Sequence, residues 1–134
     1  MIGFGCKTKF DAGPLRRKAK RAEIRTITHA AGSVRKTAIR SIKFRSKKTK
    51  HSPKGTPPYT HGRRKMRRAI LYAADRSRGY AVVGPSRRLF GTAGRAHELG
   101  GHYKGQHFTP RPTMWPALKT TAPRMPAMWG GQIT

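Results

Sequence analysis

The amino-acid sequence predicts a mixed α+β domain: a long N-terminal helix, a β-hairpin forming a small antiparallel sheet and a C-terminal helix, linked by long basic loops. Three observations predict it. No proline occurs from Leu15 to Phe44, and apolar residues there recur in steps of three and four. Two apolar runs, Ala69–Ala74 and Gly79–Pro85, flank a short polar break, as in a hairpin. Finally, Trp115 to about Ala122 carries Pro116 in what would be its first turn, where a missing N–H costs nothing.

Taken in order, residues 1–13 form an irregular lead-in with scattered glycines. Asp11 stands where a helix N-cap would, with Pro14 just inside, so the long helix is expected over 14–44. Its apolar stripe is Ile24, Ile27, Ala31, Val34, Ala38 and Ile42, a pattern that packs on a core. Residues 45–62 are polar, basic and broken by Pro53, Gly55, Pro57 and Pro58, which predicts an extended, exposed loop held out by its own lysines. Residues 63–85 begin with five cations in six positions and continue as the hairpin. By periodicity Ala69–Ala74 suits a strand or a short helix, and its β-rich partner selects the strand. Residues 86–112 form a shaped loop region, with one helical turn expected over Arg95–Leu99 before Gly100 and Gly101, and strand or loop left open for His102–Thr109. Residues 113–134 hold the last helix and a short apolar tail with Met125, Met128 and Trp129 that seeks a groove.

A chain of 134 residues is one domain's worth and supports one modest core. Its apolar share is only 35%, so oligomerisation would help it. Thirty-one Lys and Arg face four acidic residues, a formal net charge of +27 that the chain cannot neutralise internally. A polyanion or acidic protein neighbours are implied. Met1–Phe10 lacks the apolar centre of a signal peptide, and no apolar run approaches the ~20 residues of a membrane span, so a soluble protein without such export is expected.

Catalysis and metal binding find little support. Cys6 is the single cysteine, which excludes an internal disulfide framework and a four-cysteine zinc site, and nothing local makes it a nucleophile. His97, His102 and His107 lie beside Glu98, but a helical zinc motif needs histidines four apart, and here the first pair is five apart across two glycines. Four acids scattered at positions 11, 23, 75 and 98 make a carboxylate pair hard to assemble. No nucleotide-type glycine loop occurs. The expectation is therefore no enzyme, no metal and no cofactor.

The stretch His97-Glu98-Leu99-Gly100-Gly101, followed by Arg111-Pro112 and Trp115, is concentrated punctuation. Glu98 is expected to pair with Arg95 or Arg111, or with a cation of a neighbouring subunit. Trp115 and Trp129 are expected as core or interface anchors, since no aromatic-rich strand surrounds them for base stacking.

The order of motifs resembles a family, the small tail-completion or head-tail joining proteins (neck, minor tail components) of long-tailed double-stranded DNA phages. The matching residues are Gly55-Thr56-Pro57-Pro58, Gly62 with Met66-Arg67-Arg68-Ala69-Ile70-Leu71-Tyr72, and Val82-Val83-Gly84-Pro85. They continue with His97-Glu98-Leu99-Gly100-Gly101 and Arg111-Pro112-Thr113-Met114-Trp115-Pro116-Ala117-Leu118, so the resemblance covers about Lys54 to Leu118. It implies a long N-terminal helix packed on a small antiparallel sheet, with a C-terminal helix after the Arg-Pro segment. It also implies a non-enzymatic virion subunit of a homo-oligomeric ring, commonly sixfold, at the head-tail interface around the DNA channel, assembled in the host cytoplasm. Its partners would be the adjacent connector or stopper ring, the tail-tube proteins and, non-specifically, genomic double-stranded DNA.

On this reading Arg95, His97, Glu98, Gly100, Gly101, Arg111, Pro112, Trp115 and Trp129 are the candidate subunit or partner interface. Lys47, Lys48, Lys50, Arg63, Arg64, Lys65, Arg67 and Arg68 are the candidates for contact with DNA or acidic partners. The basic excess exceeds what the family pattern asks for. A heavily basic lumen would grip sliding phosphates, so most cations are expected on arms or against acidic proteins. The alternative is a basic RNA- or DNA-binding protein of the ribosomal type, whose arms wrap folded nucleic acid.

Overall fold

Helix α1, Gly13–Ser41, is the spine of the molecule, about 43 Å long at 1.5 Å per residue. The computed structural model describes residues 11–45, 51–60, 65–130 and 132. Asp11 starts α1 from one residue further out than expected: Ala12 occupies the cap position, and the Asp11 carboxylate accepts the Gly13 N–H at 2.9 Å. The β-branched stretch Thr26-Ile27-Thr28 stays helical because tertiary packing overrides its weak local preference. The Thr28, Thr37 and Ser41 hydroxyls return to the carbonyls of Ile24, Ser33 and Ala38, so they leave no unpaired donor against the core.

The helix ends three residues short of its expected boundary. Ile42 turns extended and is buried, and Phe44 pairs in a parallel bridge with Thr60. Lys43 O accepts the Thr60 N–H at 2.9 Å and Arg45 N–H donates to Thr60 O at 3.0 Å, bonds that a continued helix would forfeit. This corrects the expectation of a solvent-held arm for 51–60. Ser52, Pro58 and Thr60 are buried and the Gly55 N–H reaches Pro110 O at 3.3 Å, so the segment lies on the body. Polarity in the sequence marked it as loop and could not show that its prolines dock.

Lys65–Ala69 form a short helix, α2, ahead of the sheet. Strand β1, Ile70–Asp75, then pairs antiparallel with β2, Tyr80–Pro85, in the register Ile70↔Pro85 to Asp75↔Tyr80. The Asp75 carboxylate ties the turn, accepting from the Ser77 hydroxyl at 2.6 Å and from the Ser77 and Arg78 amides. Those bonds, the Ser77 hydroxyl first, hold its carboxyl below the ordinary carboxylate range. Gly79 follows with φ +69°, where a side chain would also collide with the Glu23 carboxylate of α1. The hairpin tip is thereby seated on the helix.

Residues 86–112 are more ordered than a loop. They contain α3, Arg87–Phe90, then α4, Ala93–Leu99, then a hairpin of β3, Gly101–Tyr103, and β4, Gln106–Phe108. Lys104 and Gly105, both at positive φ, make its two-residue turn. Helix α5, Met114–Thr121, crosses α1, and two 3₁₀ turns, Ala122–Arg124 and Pro126–Trp129, carry the tail back along it.

The core is built from small side chains. Among the described residues Val34, Ala38, Ile42, Ile70 and Ala117 form its buried cluster, with Ile39, Val83, Met114 and Met125 packed around it. Apart from Pro58, Val34, Ile42 and Ile70 are the buried apolar residues there larger than alanine, the others being Ala22, Ala31, Ala38, Ala69, Ala96 and Ala117. Alanine lets helix and strand backbones approach closely, but it removes little apolar area from water.

Candidate functional site

The punctuated stretch is held together by Glu98. Helix α4 carries its carboxylate to the start of α5, where it accepts the backbone N–H groups of Thr113 at 2.8 Å, Met114 at 2.9 and 3.1 Å, and Trp115 at 2.9 Å. A helix leaves its first N–H groups without internal partners and carries partial positive charge there, so a carboxylate suits the position on both counts. The expected pairing of Glu98 with Arg95 or Arg111 is therefore corrected: backbone amides take the charge. Among the described residues the ion pair that forms is Lys20–Glu23, at 3.0 Å.

This cap was missed because donor and acceptor lie 15 to 17 positions apart. A signal for it existed. No acidic residue occurs in the first turn of α5, and the Thr113 side chain makes no cap bond, so the donors required an acceptor from elsewhere.

The backbone between the two helices is shaped to deliver that acceptor. Gly100 has φ +74°, and a Cβ there would stand 2.8 Å from Pro110 Cδ and 3.0 Å from Phe108 O. The Arg111 N–H donates to His97 O at 2.6 Å, closing the loop that contains the β3–β4 hairpin. The His97 ring lies between Phe90 and Phe108, with centroids 5.7 and 6.1 Å away. Burial, then the charge of Arg111, lowers its pKa from 6.5, so the neutral imidazole is favoured as an aromatic wedge. His102 and His107 face each other across β3–β4 with centroids 5.2 Å apart, away from that wedge. Among the described residues no group of three or more His, Cys, Asp or Glu is placed to hold a metal ion.

Of the other interface candidates, Arg95 and Gly101 are exposed, and Arg111 and Pro112 are half-buried. Trp115 is 60% exposed with Lys119 Nζ 5.9 Å from its ring centre, and Trp129 is 44% exposed. Of the basic candidates, Lys47, Lys48, Lys50, Arg63 and Arg64 lie outside the described residues, and Lys65 opens α2. Arg68 is exposed. Arg67 is half-buried, its Nε donates to Ile39 O at 3.0 Å, and its guanidinium lies 5.4 Å from the Phe44 ring centre. It ties α2 to the end of α1.

Two apolar surfaces were not anticipated. Strand alternation puts Ile70, Tyr72, Ala81 and Val83 on the face toward α1 and leaves Leu71, Ala73 and Val82 on the opposite face, all exposed. Among the described residues neither outer edge of this two-stranded sheet has a strand partner. Beside it, an apolar groove of about 510 Å³ runs between α1, β2 and α5, lined by Ile27, Val34, Val83, Met114, Trp115 and Leu118, and Tyr80 stands at the same groove. No helix among the described residues is long and apolar enough to cross a membrane. Compared with protein-family models, curated proteins and solved structures, the chain matches none.

Proposed function

We propose that this chain is a structural, non-catalytic subunit of a ring in the neck or tail end of a long-tailed double-stranded DNA phage, joining or completing the tail around the DNA channel. The observation that carries the reading is an inverted distribution of apolar side chains. Apart from Pro58, six of the nine buried apolar residues described are alanine, while Leu71, Tyr80, Val82, Leu99, Trp115 and Trp129 are among eleven large ones that are exposed. Large exposed apolar surface marks an interaction site rather than a finished monomer.

Two different apolar surfaces on one molecule suit head-to-tail contact, which closes into a ring when the rotation per subunit allows it. The resemblance in motif order names the kind of ring, and the sequence of long helix, hairpin and C-terminal helix agrees with what that resemblance implies. In such a ring the subunit is held by identical neighbours and docks the connector or stopper above and the tail tube below, in the virion.

The net charge of +27 favours a second reading, a ribosomal-type nucleic-acid-binding protein. Sizing by light scattering after nuclease treatment separates the two. The ring reading expects a discrete multiple of 15.0 kDa that persists, and expects Val82→Asp to weaken assembly at least tenfold with unchanged far-UV circular dichroism. A nuclease-treated protein that is monomeric at every concentration would sink it.

A further inference from the structure

A second groove, of about 600 Å³, lies between α1 and β1, and unlike the first it is rimmed by cations. Arg25, His29, Arg35, Lys36 and Arg76 line it together with Tyr72, and no carboxylate does. We propose that this groove binds the phosphodiester backbone of double-stranded nucleic acid.

The helix supplies the register. Arg25, His29, Gly32 and Lys36 follow steps of four, three and four, so they share one face of α1, opposite the buried Ala31, Val34 and Ala38. Lys18 and Arg21 extend the same row toward the N-terminal end of the helix. From Arg25 to Lys36 is about 16 Å along the axis, the axial span of about five phosphates on one strand of a duplex.

The hairpin supplies the second wall. Arg76 comes from the turn after β1, and Arg35 is fixed where its Nε donates to Ile70 O at 2.8 Å. Arg25, Lys36 and Arg76 are exposed, so each can meet a phosphate without first leaving a buried partner.

The regular row of cations decides between polyanions. Ile24, Thr28, Gly32 and Ser33 of α1 and Tyr72 of β1 lie below it, with the Thr28 hydroxyl turned to Ile24 O. An acidic protein docks chiefly on a few anchors, whereas cations set in a row along a helix axis suit a polyanion that runs along it. A phosphate backbone needs only cations at the right height and no base contact, so the binding carries no sequence preference. The inference stands without ring formation; within a ring it selects which minority of cations approaches the DNA.

Because a chain of this charge attracts DNA everywhere, the test compares equal charge losses. A 20-base-pair mixed-sequence duplex is titrated by fluorescence anisotropy between 50 and 200 mM salt. The variant Arg25→Gln/Lys36→Gln/Arg76→Gln is set against Arg87→Gln/Arg88→Gln/Arg124→Gln, exposed cations away from the groove. The groove variant should bind at least tenfold more weakly than the control variant at 100 mM salt and reduce the salt slope by about three, one per phosphate contact. Equal losses in the two variants would mean diffuse attraction and overturn the proposal. So would displacement of the duplex by polyglutamate at equal charge concentration, which would assign the groove to acidic protein. The unaltered protein gives an independent reading: bound duplex should protect Lys36, but not the exposed Lys54, from an amine-acetylating reagent, and an unprotected Lys36 would also overturn it.

Discussion

Glu98 shows how one side chain can set the geometry of a whole segment. Its carboxylate receives three consecutive N–H groups, and hydrogen bonds to a charged acceptor contribute more than neutral ones. Glu98→Gln should lower unfolding free energy by about 1 kcal/mol and Glu98→Ala by about 2 kcal/mol in urea denaturation, in the range for losing a helix cap or leaving donors unpaired. Any weakening of assembly in these variants then follows from a loosened α5, which carries Trp115 and Leu118 to the apolar groove. His97 makes a pH prediction. Its folded pKa lies below 6.5, so protons bind the unfolded chain more readily and stability falls as pH drops below 6.5 and through the lower folded value. His97→Phe should flatten that decline as the pH is lowered from 6.5, followed by thermal melts. An unchanged decline would place the titrating group elsewhere.

At the scale of elements, α1 organises everything else because its faces do different work. One face receives α5 and the sheet through Ala31, Val34 and Ala38, and the opposite one carries the cationic row. Arginines pin the joints. Arg35 holds the start of β1, and Arg67 holds α2 against the last turn of the helix. The Thr37 and Thr121 hydroxyls meet at 3.2 Å where α5 crosses. Among the described residues the β1–β2 hairpin has no strand partner at either edge, and a two-stranded sheet with an apolar outer face is marginal in water. Its exposed Leu71 and Val82 are why Val82→Asp is expected to act on assembly and spare the fold.

At the scale of the whole molecule, the proposal of a ring rests on the alanine-rich core of the described residues and on the large net charge. If association completes the fold, the melting temperature should rise with protein concentration, since partners that bind only the native state stabilise it by mass action. Differential scanning fluorimetry over a hundredfold concentration range would detect this. A concentration-independent melt would mean that the core described suffices alone. Added salt should narrow the deficit by screening the self-repulsion of a +27 chain.

Periodicity and breakers by themselves determined the long helix, the hairpin and the C-terminal helix, because those signals are local: apolar spacing along Ile27, Ala31, Val34 and Ala38, paired β-rich runs, and Pro116 in a first turn. They also determined that the histidines are badly spaced for a helical metal motif. Only the tertiary structure decided that Glu98 caps α5 rather than pairing with Arg95 or Arg111, that 51–60 folds onto the body, and that Arg67 braces α1. It alone placed Arg76 opposite Arg25 and Lys36. Each of these joins residues far apart in the chain, and such contacts depend on how elements pack. Apart from the lack of an acid in the first turn of α5, the residues nearest in sequence carry no trace of them.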